Sequence, residues 1–420
     1  MTGAGDRIVM VADSAFARGG ATSLVRRAIR ALRARGRAVT LLCGELGDEA
    51  QDPMGPLHAC GAEVVTLGQG RLRSKGALTA ARQGLWNVQA QDMVARWVAA
   101  HDTPRTLYHL HGWAQILSPA AFAALAPVAP RTVLHAHDFF LACPNGVYMD
   151  FPRQEVCRRA PLSGACLSTQ CDKRSAAQKG WRLLRHRHVR RALSAVPWGA
   201  VAMIHPAMAE PLRRGGVTIP LHVVLNPAAP FATARIKAER NRALAFVGRL
   251  DPEKGAADLA VAAAELGLDV IFIGEGPDAD RIRHVLPRAE MTGWQPRSEI
   301  GAFLTQARGL VMPSRLPEPF GLVAAEASLS GLPVILPQIS LLSAAMTEAD
   351  LGVSYAHQDP SALGAALARL RDMPDDSVAR MSRRGASGAH RLAQSEAEWI
   401  DGLEGLYRDV LARAQGVEAA

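Results

Sequence analysis

The sequence predicts an α/β fold with two doubly wound parallel-sheet domains, one in each half of the chain. Three observations lead to this prediction. A chain of 420 residues exceeds one ordinary hydrophobic core and suits two domains. Short strand-like runs alternate with helical runs along both halves, which is typical of parallel sheets covered by helices. The chain is 49% hydrophobic but only 5% aromatic, which suits alanine-rich helices around aliphatic strands.

The N-terminal domain is predicted over residues 1–225. Its strand-like runs are, in chain order, RIVMVA, AVTLLCG, EVVTLG, TLYHLHGW, TVLHAHDFF, GAVAMIHP and LHVVLNP. Apolar residues recur at helical spacing from Leu24 to Leu32, and a second helical run covers 85–100. The segment 226–242, NPAAPFATARIKAERNR, contains prolines followed by charges and is predicted to be an interdomain linker.

The C-terminal domain is predicted over residues 243–392. Its strand-like runs are ALAFVGR, DVIFIGEGP, AEMTGW, GLVMPS and LPVILP. Helices are predicted over 255–266, 279–286 and 300–307, and another begins near Gly321. Residues 393–420 contain EWIDGLEGLYRDVLARA, an amphipathic helix that we expect to pack back on the N-terminal domain.

Membrane-spanning and secreted proteins are disfavoured by the apolar patterning. No window reaches 18 uninterrupted apolar residues, so we expect no spanning helix. The first residues run into the strand-like RIVMVAD without a signal-peptide pattern, so a cytoplasmic location is expected.

The net charge of +9 can attract nucleic acid, anionic lipid or phosphorylated substrates. Much of the charge lies in the run 173–191, for which two interpretations stay open. It is a solvated helix face, or it rests on anionic lipid at an inner membrane face with Trp181 and Leu184 as apolar contacts. Nucleic acid is disfavoured because aromatic residues are not interleaved with the basic ones.

The chain has six cysteines, of which Cys43 and Cys60 are isolated and predicted to be core residues. The other four lie in one loop-like segment and could form a structural zinc site or two disulfides. The lack of a secretion signal disfavours disulfides, and the spacing lacks a paired C-x-x-C, so thiols with another structural role stay open. The four candidate zinc ligands are Cys143, Cys157, Cys166 and Cys171.

Two glutamates, Glu318 and Glu326, stand eight residues apart in the segment 312–336. Pro317 and Pro319 disfavour a helix around the first glutamate, whereas the apolar residues after Gly321 predict a buried helix. A helix N-terminus offers N–H groups that suit anionic oxygens. The segment therefore predicts a cradle for an elongated ligand with hydroxyls at both ends and phosphate between them, as in a nucleotide-sugar.

Chemically active side chains follow the predicted strands, where ligands bind in open parallel sheets. Two sheets presenting these ends to each other would enclose a polar cleft. We expect His109 and His135 to point to the opposite face from His111 and His137 and to pack against helices. The residues expected at strand ends are Gly19, Gly20, His111, His137, Asp138, Arg249, Lys254 and Glu318.

Six motifs occur in order along the chain: GGATSLVRRAIRALRARGRAVTLL, HAHDFFLACPNG, FVGRLDPEKG, FIGEGPD, MTGWQPRSEI and PSRLPEPFGLVAAEASLSGLPVI. This series resembles a family 4 glycosyltransferase of GT-B fold over nearly the whole chain. The resemblance implies two Rossmann-like domains that face each other across a cleft. It implies retaining transfer of a hexosyl group from a nucleotide-diphosphate sugar to a saccharide or lipid-linked saccharide, in cell-surface polysaccharide or glycolipid assembly. It also implies that catalysis requires no metal or other cofactor.

The resemblance assigns the donor side to the C-terminal motifs. Arg249 and Lys254 resemble the family's diphosphate-binding pair, and two cations there could neutralise a departing diphosphate. Glu318 resembles the residue that holds donor-sugar hydroxyls, and Glu326 resembles the ribose-binding carboxylate. Other donor-side residues implied by the resemblance are Gly19, Gly20, Gly293, Trp294, Phe320 and Gly321.

His137 of the HAHD run resembles the family's active-site histidine, which orients the donor sugar and phosphate. The alternative is a structural histidine at a strand end. His111 and Asp138 are candidates for the acceptor side. Because Glu318 is reserved for sugar hydroxyls, no dedicated nucleophile is apparent, which favours front-face departure of the diphosphate over double displacement.

Three other classes are considered beside a glycosyltransferase. A nucleotide-sugar epimerase on the same scaffold would act on the donor without an acceptor. A glycogen-type phosphorylase would need a lysine for pyridoxal phosphate, and no such motif stands out. A basic, non-enzymatic binding protein is supported only by the charge run and the cysteines.

Overall fold

The computed structural model describes residues 7–17, 19–47, 55–357, 359 and 361–416. The chain divides into two compact units. The first unit comprises Met1–Pro152, Arg158–Val224 and Ala397–Ala420. The second comprises Arg153–Cys157 and Leu225–Glu396.

The first unit is built on a seven-stranded parallel sheet with the order β3-β2-β1-β4-β5-β8-β9. Val9, Met10 and Val11 of the interior strand β1 (Arg7–Ser14) are fully buried, as expected for a parallel sheet covered on both faces. Two short strands, β6 and β7, lie outside this sheet, and β7 belongs to the second unit. The strands up to Val223 are β1 (Arg7–Ser14), β2 (Ala38–Glu45), β3 (Glu63–Thr66), β4 (Thr106–Leu110), β5 (Thr132–Ala136), β6 (Met149–Asp150), β7 (Glu155–Val156), β8 (Ala200–Met203) and β9 (Leu221–Val223).

Helices pack around this sheet, as the alternating pattern predicted. The helix predicted over 85–100 begins at Val88, because Trp86 and Asn87 are extended and Asn87 caps the helix by accepting the Ala90 N–H at 3.3 Å; a separate helix that was not predicted ends at Leu85. The helices before the second unit are α1 (Gly20–Ala34), α2 (Ala77–Leu85), α3 (Val88–His101), α4 (Ala120–Leu125), α5 (Gly164–Ser168), α6 (Ala176–Ala195) and α7 (Ala209–Arg214).

The second unit has a six-stranded parallel sheet with the order β12-β11-β10-β13-β14-β15. The helix predicted over 300–307 begins at Arg297 and ends at Leu304, since Ala307 already starts a strand. No helix or strand was predicted between 338 and 392, where the structure has one strand and three helices. The strands are β10 (Ala243–Val247), β11 (Val270–Ile273), β12 (Glu290–Gly293), β13 (Ala307–Val311), β14 (Val334–Pro337) and β15 (Gly352–Tyr355). The helices are α8 (Ala256–Leu266), α9 (Ala279–Val285), α10 (Arg297–Leu304), α11 (Leu322–Leu329), α12 (Ser343–Glu348), α13 (Ala362–Asp372) and α14 (Asp375–Ala386).

The segment 226–242, predicted to be a linker, is part of the second unit. The Phe231 N–H donates to Ser330 Oγ at 2.7 Å, and the Ile236 N–H donates to the Ser330 carbonyl at 2.8 Å. Prolines and charges therefore mark an irregular segment here, but its backbone hydrogen bonds fix it to the end of α11.

The last helix, α15 (Glu396–Ala414), is amphipathic as predicted. All but its first residue belong to the first unit, although the second unit precedes it in the chain. Leu403, Tyr407 and Val410 are buried on its apolar face. Glu404 pairs with Arg35 at 2.8 Å and with Arg37 at 2.6 Å beside α1. Among the described residues, no helix is long and apolar enough to cross a membrane.

Candidate functional site

In the second unit, the loops after two neighbouring strands are joined into one surface. Strands β10 and β13 are adjacent and parallel, so their carboxyl ends meet at one edge. The Arg315 N–H donates to the Glu253 carbonyl at 2.9 Å across the two loops. Gly255 has φ +71°, and a Cβ there would clash with the carbonyl oxygen of Pro313. Only glycine therefore allows this close approach of the two loops.

This surface brings Lys254 and Glu318 together. Lys254 Nζ lies 2.5 Å from Glu318 Oε1, and the Ser314 hydroxyl donates to the same oxygen at 2.7 Å. The side chain of Glu318 is 17% exposed and that of Lys254 is 35% exposed. Among the described residues, both hydrogen bonds to this carboxylate end on Oε1, so Oε2 remains for another donor. The sequence placed both charges at the site but did not predict their contact or the role of Ser314.

Arg249 takes a different partner. Its guanidinium pairs with Asp251 at 2.8 Å, and its side chain is 71% exposed. An exposed pair of this kind contributes at most about 1 kcal/mol, so exchanging Asp251 for an anionic ligand costs little. The two residues of the predicted basic pair therefore differ: Lys254 is held by Glu318, whereas Arg249 is exposed.

Helix α11 begins directly after the glutamate loop, at Leu322. Gly321 before it has φ +76°, and a Cβ there would lie 3.1 Å from Met312 Sδ. The side chain of Phe320 is buried, so only its backbone remains for a ligand. The first N–H groups of a helix have no partner within it, which leaves the α11 N-terminus able to bind anionic oxygens.

Glu326, in the second turn of α11, is buried, with a side chain 9% exposed. Arg297 Nη1 donates to Glu326 Oε1 at 2.6 Å. The same guanidinium donates to the Ala229 carbonyl at 2.7 Å and lies over the Phe231 ring at 4.8 Å. The sequence predicted that this buried carboxylate needs a partner, but Arg297 was missed. The only sequence signal for it is a cation at the start of a helix after MTGW.

The loop after β11 lies close to the loop that carries Arg249. A Cβ on Gly274 would clash with the Gly248 carbonyl oxygen, and the Leu250 N–H donates to the Glu275 carbonyl at 2.8 Å. Trp294 lies at the end of β12, where its N–H donates to Glu275 Oε1 at 3.2 Å. The Trp294 side chain is 62% exposed, after Gly293 with φ +72°. These predicted donor-side residues therefore occupy the same sheet edge.

In the first unit, four histidines form one stack at the ends of β4 and β5. Ring centroids of His109 and His111 are 4.0 Å apart, as are those of His135 and His137. The ring centroids of His111 and His137 are 5.3 Å apart across the two strands. The prediction that His109 and His135 point to the opposite face is therefore wrong. Side chains two residues apart on a strand share a face, so all four rings converge.

Hydrogen bonds connect these rings in two pairs. Tyr407 Oη of α15 lies 2.7 Å from His109 Nδ1, and His109 Nε2 lies 3.1 Å from His135 Nδ1. His111 Nδ1 lies 3.0 Å from His137 Nε2. Burial lowers the pKa of His137 to about 4 and holds the pKa values of the other three well below their usual range. The four imidazoles are therefore neutral at physiological pH.

Two further charged groups of the first unit were not singled out by the sequence. Asp13 accepts the N–H groups of Gln115, Ile116 and Leu117 at 2.7 to 2.8 Å. Arg185 of α6 is buried and donates to the Ala114 carbonyl at 3.1 Å. Of these two groups, Asp13 alone has a sequence signal, which is its position at the end of an apolar strand-like run.

Asp138, predicted for the acceptor side, is mostly buried and accepts the Phe140 N–H at 2.9 Å. Gly19 caps α1 with an extended φ of 178°, which any residue adopts. Nothing lies within 4 Å of a Cβ built there. A glycine requirement at Gly19 would therefore come from a ligand rather than from the backbone. Gly20 is the first residue of α1.

The basic run 173–191 includes helix α6, and neither interpretation describes all of it. Lys179, Arg185 and His186 are buried. The Trp181 ring nitrogen donates to the Ala81 carbonyl at 2.9 Å, so this predicted lipid contact is engaged within the unit. Leu184 remains 47% exposed. The exposed basic residues of the run are Lys173, Arg174, Arg187 and Arg191.

The four candidate zinc ligands are divided between the two units. Cys157 belongs to the second unit and the others to the first. Cys143 Sγ donates to Asn145 Oδ1 at 3.1 Å, and Lys179 Nζ lies 3.3 Å from Cys171 Sγ. Within the described part of the chain, the group of three metal-binding side chains with suitable spacing is His109, His111 and His135.

Comparisons with known proteins agree with this architecture. Residues 232–387 match the family model described as glycosyl transferases group 1. A glycogen synthase of Mycobacterium tuberculosis is 29% identical over 290 residues, 64% of this chain and 65% of the relative. A D-inositol 3-phosphate glycosyltransferase of Corynebacterium glutamicum is 34% identical over 233 residues, 50% of this chain and 55% of the relative. The chain thus matches between about half and two thirds of the length of these relatives.

Solved structures resemble the chain over nearly its whole length. A sucrose-phosphate synthase of Thermosynechococcus elongatus has a TM-score of 0.69 at 18% identity, covering 97% of this chain and 100% of that one. An Anabaena protein solved in complex with UDP has a TM-score of 0.63 at 16% identity, covering 95% and 98%. These likenesses confirm the predicted GT-B fold.

Proposed function

We propose that this chain, which carries a glycosyl transferases group 1 domain over residues 232–387, is a retaining, metal-independent hexosyltransferase using a nucleotide-diphosphate sugar. The observation that carries the proposal is the contact of Lys254 with Glu318 at neighbouring strand ends. It joins a cation suited to phosphate with a carboxylate suited to sugar hydroxyls. The proposed acceptor is a saccharide or a lipid-linked saccharide, in cell-surface polysaccharide or glycolipid assembly.

The donor would extend along the edge of the second unit. Glu318 would accept sugar hydroxyls through Oε2, because Lys254 and Ser314 engage Oε1. Lys254, Arg249 and the N–H groups at Gly321 and the start of α11 would hold the diphosphate.

The nucleoside would lie at the other end of the donor. Glu326 would accept ribose hydroxyls, held in place by Arg297. The exposed ring of Trp294 would stack on the base beside Gly293. An Anabaena neighbour was solved in complex with UDP-glucose, so uridine diphosphate sugars are the first donors to test.

The arrangement around Glu318 supports front-face departure of the diphosphate. A nucleophile for double displacement needs a carboxylate oxygen next to the anomeric carbon, whereas the free Oε2 of Glu318 is proposed here to bind sugar hydroxyls. Glu318 is instead fixed by a cation and a hydroxyl, which suits orientation of the sugar. Lys254 would stabilise charge as it develops on the leaving oxygen, and that oxygen would accept the acceptor's proton.

Residues of the first unit are proposed for orientation and acceptor binding. His137 is neutral and its Nε2 is held by His111, which suits a hydrogen bond to a donor hydroxyl or phosphate better than nucleophilic attack. His111 and Asp138 are proposed for the acceptor side. Gly19 and Gly20 would let the donor approach the backbone at the start of α1.

An anionic membrane surface is the proposed location of a lipid-linked acceptor. Support comes from the exposed Lys173, Arg174, Arg187 and Arg191 with the half-exposed Leu184. Each basic residue near an anionic surface contributes about 1 kcal/mol, so binding should weaken as salt is raised. Co-sedimentation with phosphatidylserine vesicles at two ionic strengths tests this part of the proposal.

A thermal-shift panel of uridine, guanosine and adenosine diphosphate sugars tests the donor assignment. Ligand stabilisation grows with the ratio of ligand concentration to Kd, so one base should raise Tm most. Glu326→Gln should reduce that shift, since an amide replaces the ribose-binding carboxylate. Glu239→Gln, which affects an ion pair with Arg235 elsewhere in the unit, should leave it unchanged.

Product analysis distinguishes transfer from epimerisation. Donor turnover should depend on an added saccharide or lipid-linked acceptor, and the new bond should keep the anomeric configuration of the donor. Conversion of the donor without an acceptor would instead identify an epimerase. A covalent glycosyl adduct on Glu318 or Asp138 would contradict front-face departure.

A further inference from the structure

Three histidines of the first unit bring ring nitrogens close enough to share one metal ion. One nitrogen from each of His109, His111 and His135 lies within 4.8 Å of the other two. The residues are 0%, 3% and 5% exposed, so solvent does not compete for these atoms. They come from two adjacent strands of a parallel sheet, which makes their backbone positions rigid.

Ordinary packing leaves part of this cluster unexplained. His111 Nε2 is buried and has no hydrogen-bond partner among the described residues. Buried polar atoms normally find a partner, and a ring nitrogen without one needs a cause. Burial also favours the uncharged imidazole, which is the form that binds metal.

Neighbouring side chains orient two of the rings. Tyr407 Oη engages His109 Nδ1 at 2.7 Å, and His137 Nε2 engages His111 Nδ1 at 3.0 Å. In each ring, Nε2 is therefore the nitrogen directed away from that partner. Metal-binding histidines commonly have their other nitrogen hydrogen-bonded in this way, which fixes the ring and its tautomer.

The spacing within the cluster suits a small ion. His109 Nε2 and His135 Nδ1 are 3.1 Å apart. Zinc–nitrogen bonds of about 2.0–2.1 Å in a tetrahedron place neighbouring nitrogens roughly 3.3 Å apart. The third nitrogen, on His111, lies within 4.8 Å of both.

We propose that His109, His111 and His135 bind one divalent transition-metal ion, with Tyr407 and His137 orienting two of these ligands. An all-imidazole ligand set suits Zn²⁺, Co²⁺, Ni²⁺ or Cu²⁺ and disfavours Mg²⁺ and Ca²⁺, which take oxygen ligands. The ion joins β4 to β5 and, through Tyr407, to α15. This site is structural and uses none of the donor-binding residues, but it engages both ring nitrogens of His111 and so replaces the acceptor-side role proposed for that residue.

Binding of the ion also has a consequence for His137. An ion on His111 Nε2 leaves the proton of that ring on Nδ1, which then donates to His137 Nε2. The ion thereby makes His137 Nε2 the acceptor in this hydrogen bond. The proton of the neutral His137 ring then lies on His137 Nδ1.

Metal titration of the full chain tests the site. After dialysis against a chelator, the protein should bind one equivalent of Zn²⁺ with a rise in Tm, because only the folded state presents the three ligands. Co²⁺ should give visible bands of tetrahedral nitrogen coordination without a thiolate charge-transfer band. His111→Gln and His135→Gln should each abolish stoichiometric binding.

Further variants keep the test decisive if a histidine variant fails to fold. Tyr407→Phe should weaken Zn²⁺ binding about 10- to 100-fold, the effect of losing an orienting hydrogen bond. His186→Gln, at a buried histidine outside the cluster, should leave binding unchanged. Absence of saturable binding, binding unaffected by Tyr407→Phe and both ligand variants, or loss of binding in Cys166→Ser/Cys171→Ser would overturn the proposal.

Discussion

Asp13 and Asp138 of the first unit have pKa values raised to about 6, mainly because burial disfavours their charged forms. Hydrogen bonds from backbone N–H groups act in the opposite direction at both residues. Burial also disfavours the charged form of Arg185, but because this side chain is a cation its pKa is lowered. Burial and the nearby positive charge of Arg182 lower it to about 10. At the scale of single residues, burial shifts the pKa values of side chains that look like ordinary charged residues in the sequence.

The raised pKa of Asp138 predicts a pH dependence of stability. A carboxyl group whose pKa is higher in the folded state stabilises the fold below its unfolded pKa near 4, and this contribution is lost as pH rises through 6. The contribution of Asp138 to the free energy of unfolding should therefore fall between pH 4 and pH 7, opposite in sign to that of the four buried histidines, whose pKa values are lowered in the folded state. Asp138→Asn should remove this falling contribution, change the slope of stability against pH, and stabilise the protein at pH 7 on the order of 1 kcal/mol, as measured by urea unfolding. An unchanged slope in the variant would show that Asp138 does not titrate in this range.

Lys254 should affect turnover more than stability. Lys254→Met removes the cation proposed for the leaving diphosphate and leaves the Glu318 carboxylate, among the described residues, with the Ser314 hydrogen bond alone. Losing one such electrostatic group typically lowers kcat by about 10²- to 10³-fold. Lys237→Met, at an exposed lysine of the same unit, is the control and should keep full activity. Equal kcat values for the two variants would remove Lys254 from the mechanism.

At the scale of elements, the strand-end surface proposed to bind the donor depends on tight turns before helices. Gly255 allows contact between two loops, and Gly321 gives α11 its start next to Glu318. The sequence predicted the helix start because prolines precede an apolar run. It could not predict the contact with Met312, which depends on where β13 ends.

A pair of glycine substitutions tests this local requirement. Gly321→Ala should destabilise the protein by about 1–2 kcal/mol, because its φ of +76° disfavours a side chain and Met312 is close. Gly364→Ala, in helix α13 with open space around it, should stabilise by about 0.5–1 kcal/mol. Urea unfolding of both variants measures the difference. Equal effects would show that the backbone at Gly321 can relax.

At the scale of the whole molecule, the chain returns to the first unit for its last helix. Leu403, Tyr407 and Val410 of α15 are buried there, and Tyr407 reaches the histidine cluster. Folding of the first unit therefore needs residues separated by the entire second unit, a long-range closure that is slow to form.

Truncation of a buried side chain on α15 should destabilise the first unit. Leu403 is fully buried, so Leu403→Ala should cost about 2–5 kcal/mol through lost burial and a cavity. Arg408→Ala, on the exposed side of the same helix, should change stability by less than about 0.5 kcal/mol. Chemical denaturation followed by tryptophan fluorescence measures both. A small effect of Leu403→Ala would indicate that α15 detaches without unfolding the rest.

The sequence by itself determined the two parallel-sheet units, most element positions and the residues at the strand ends. These follow from local signals, since periodicity selects strand or helix and chain order places strand ends at one sheet edge. Only the tertiary structure decided which side chains meet: Arg297 with Glu326, Lys254 with Glu318, and Tyr407 with His109. The tertiary structure also decided that Lys179 and Arg185 are buried and that the four histidine rings stack together. Such contacts join residues far apart in sequence, and packing among several elements, which no local pattern records, selects them.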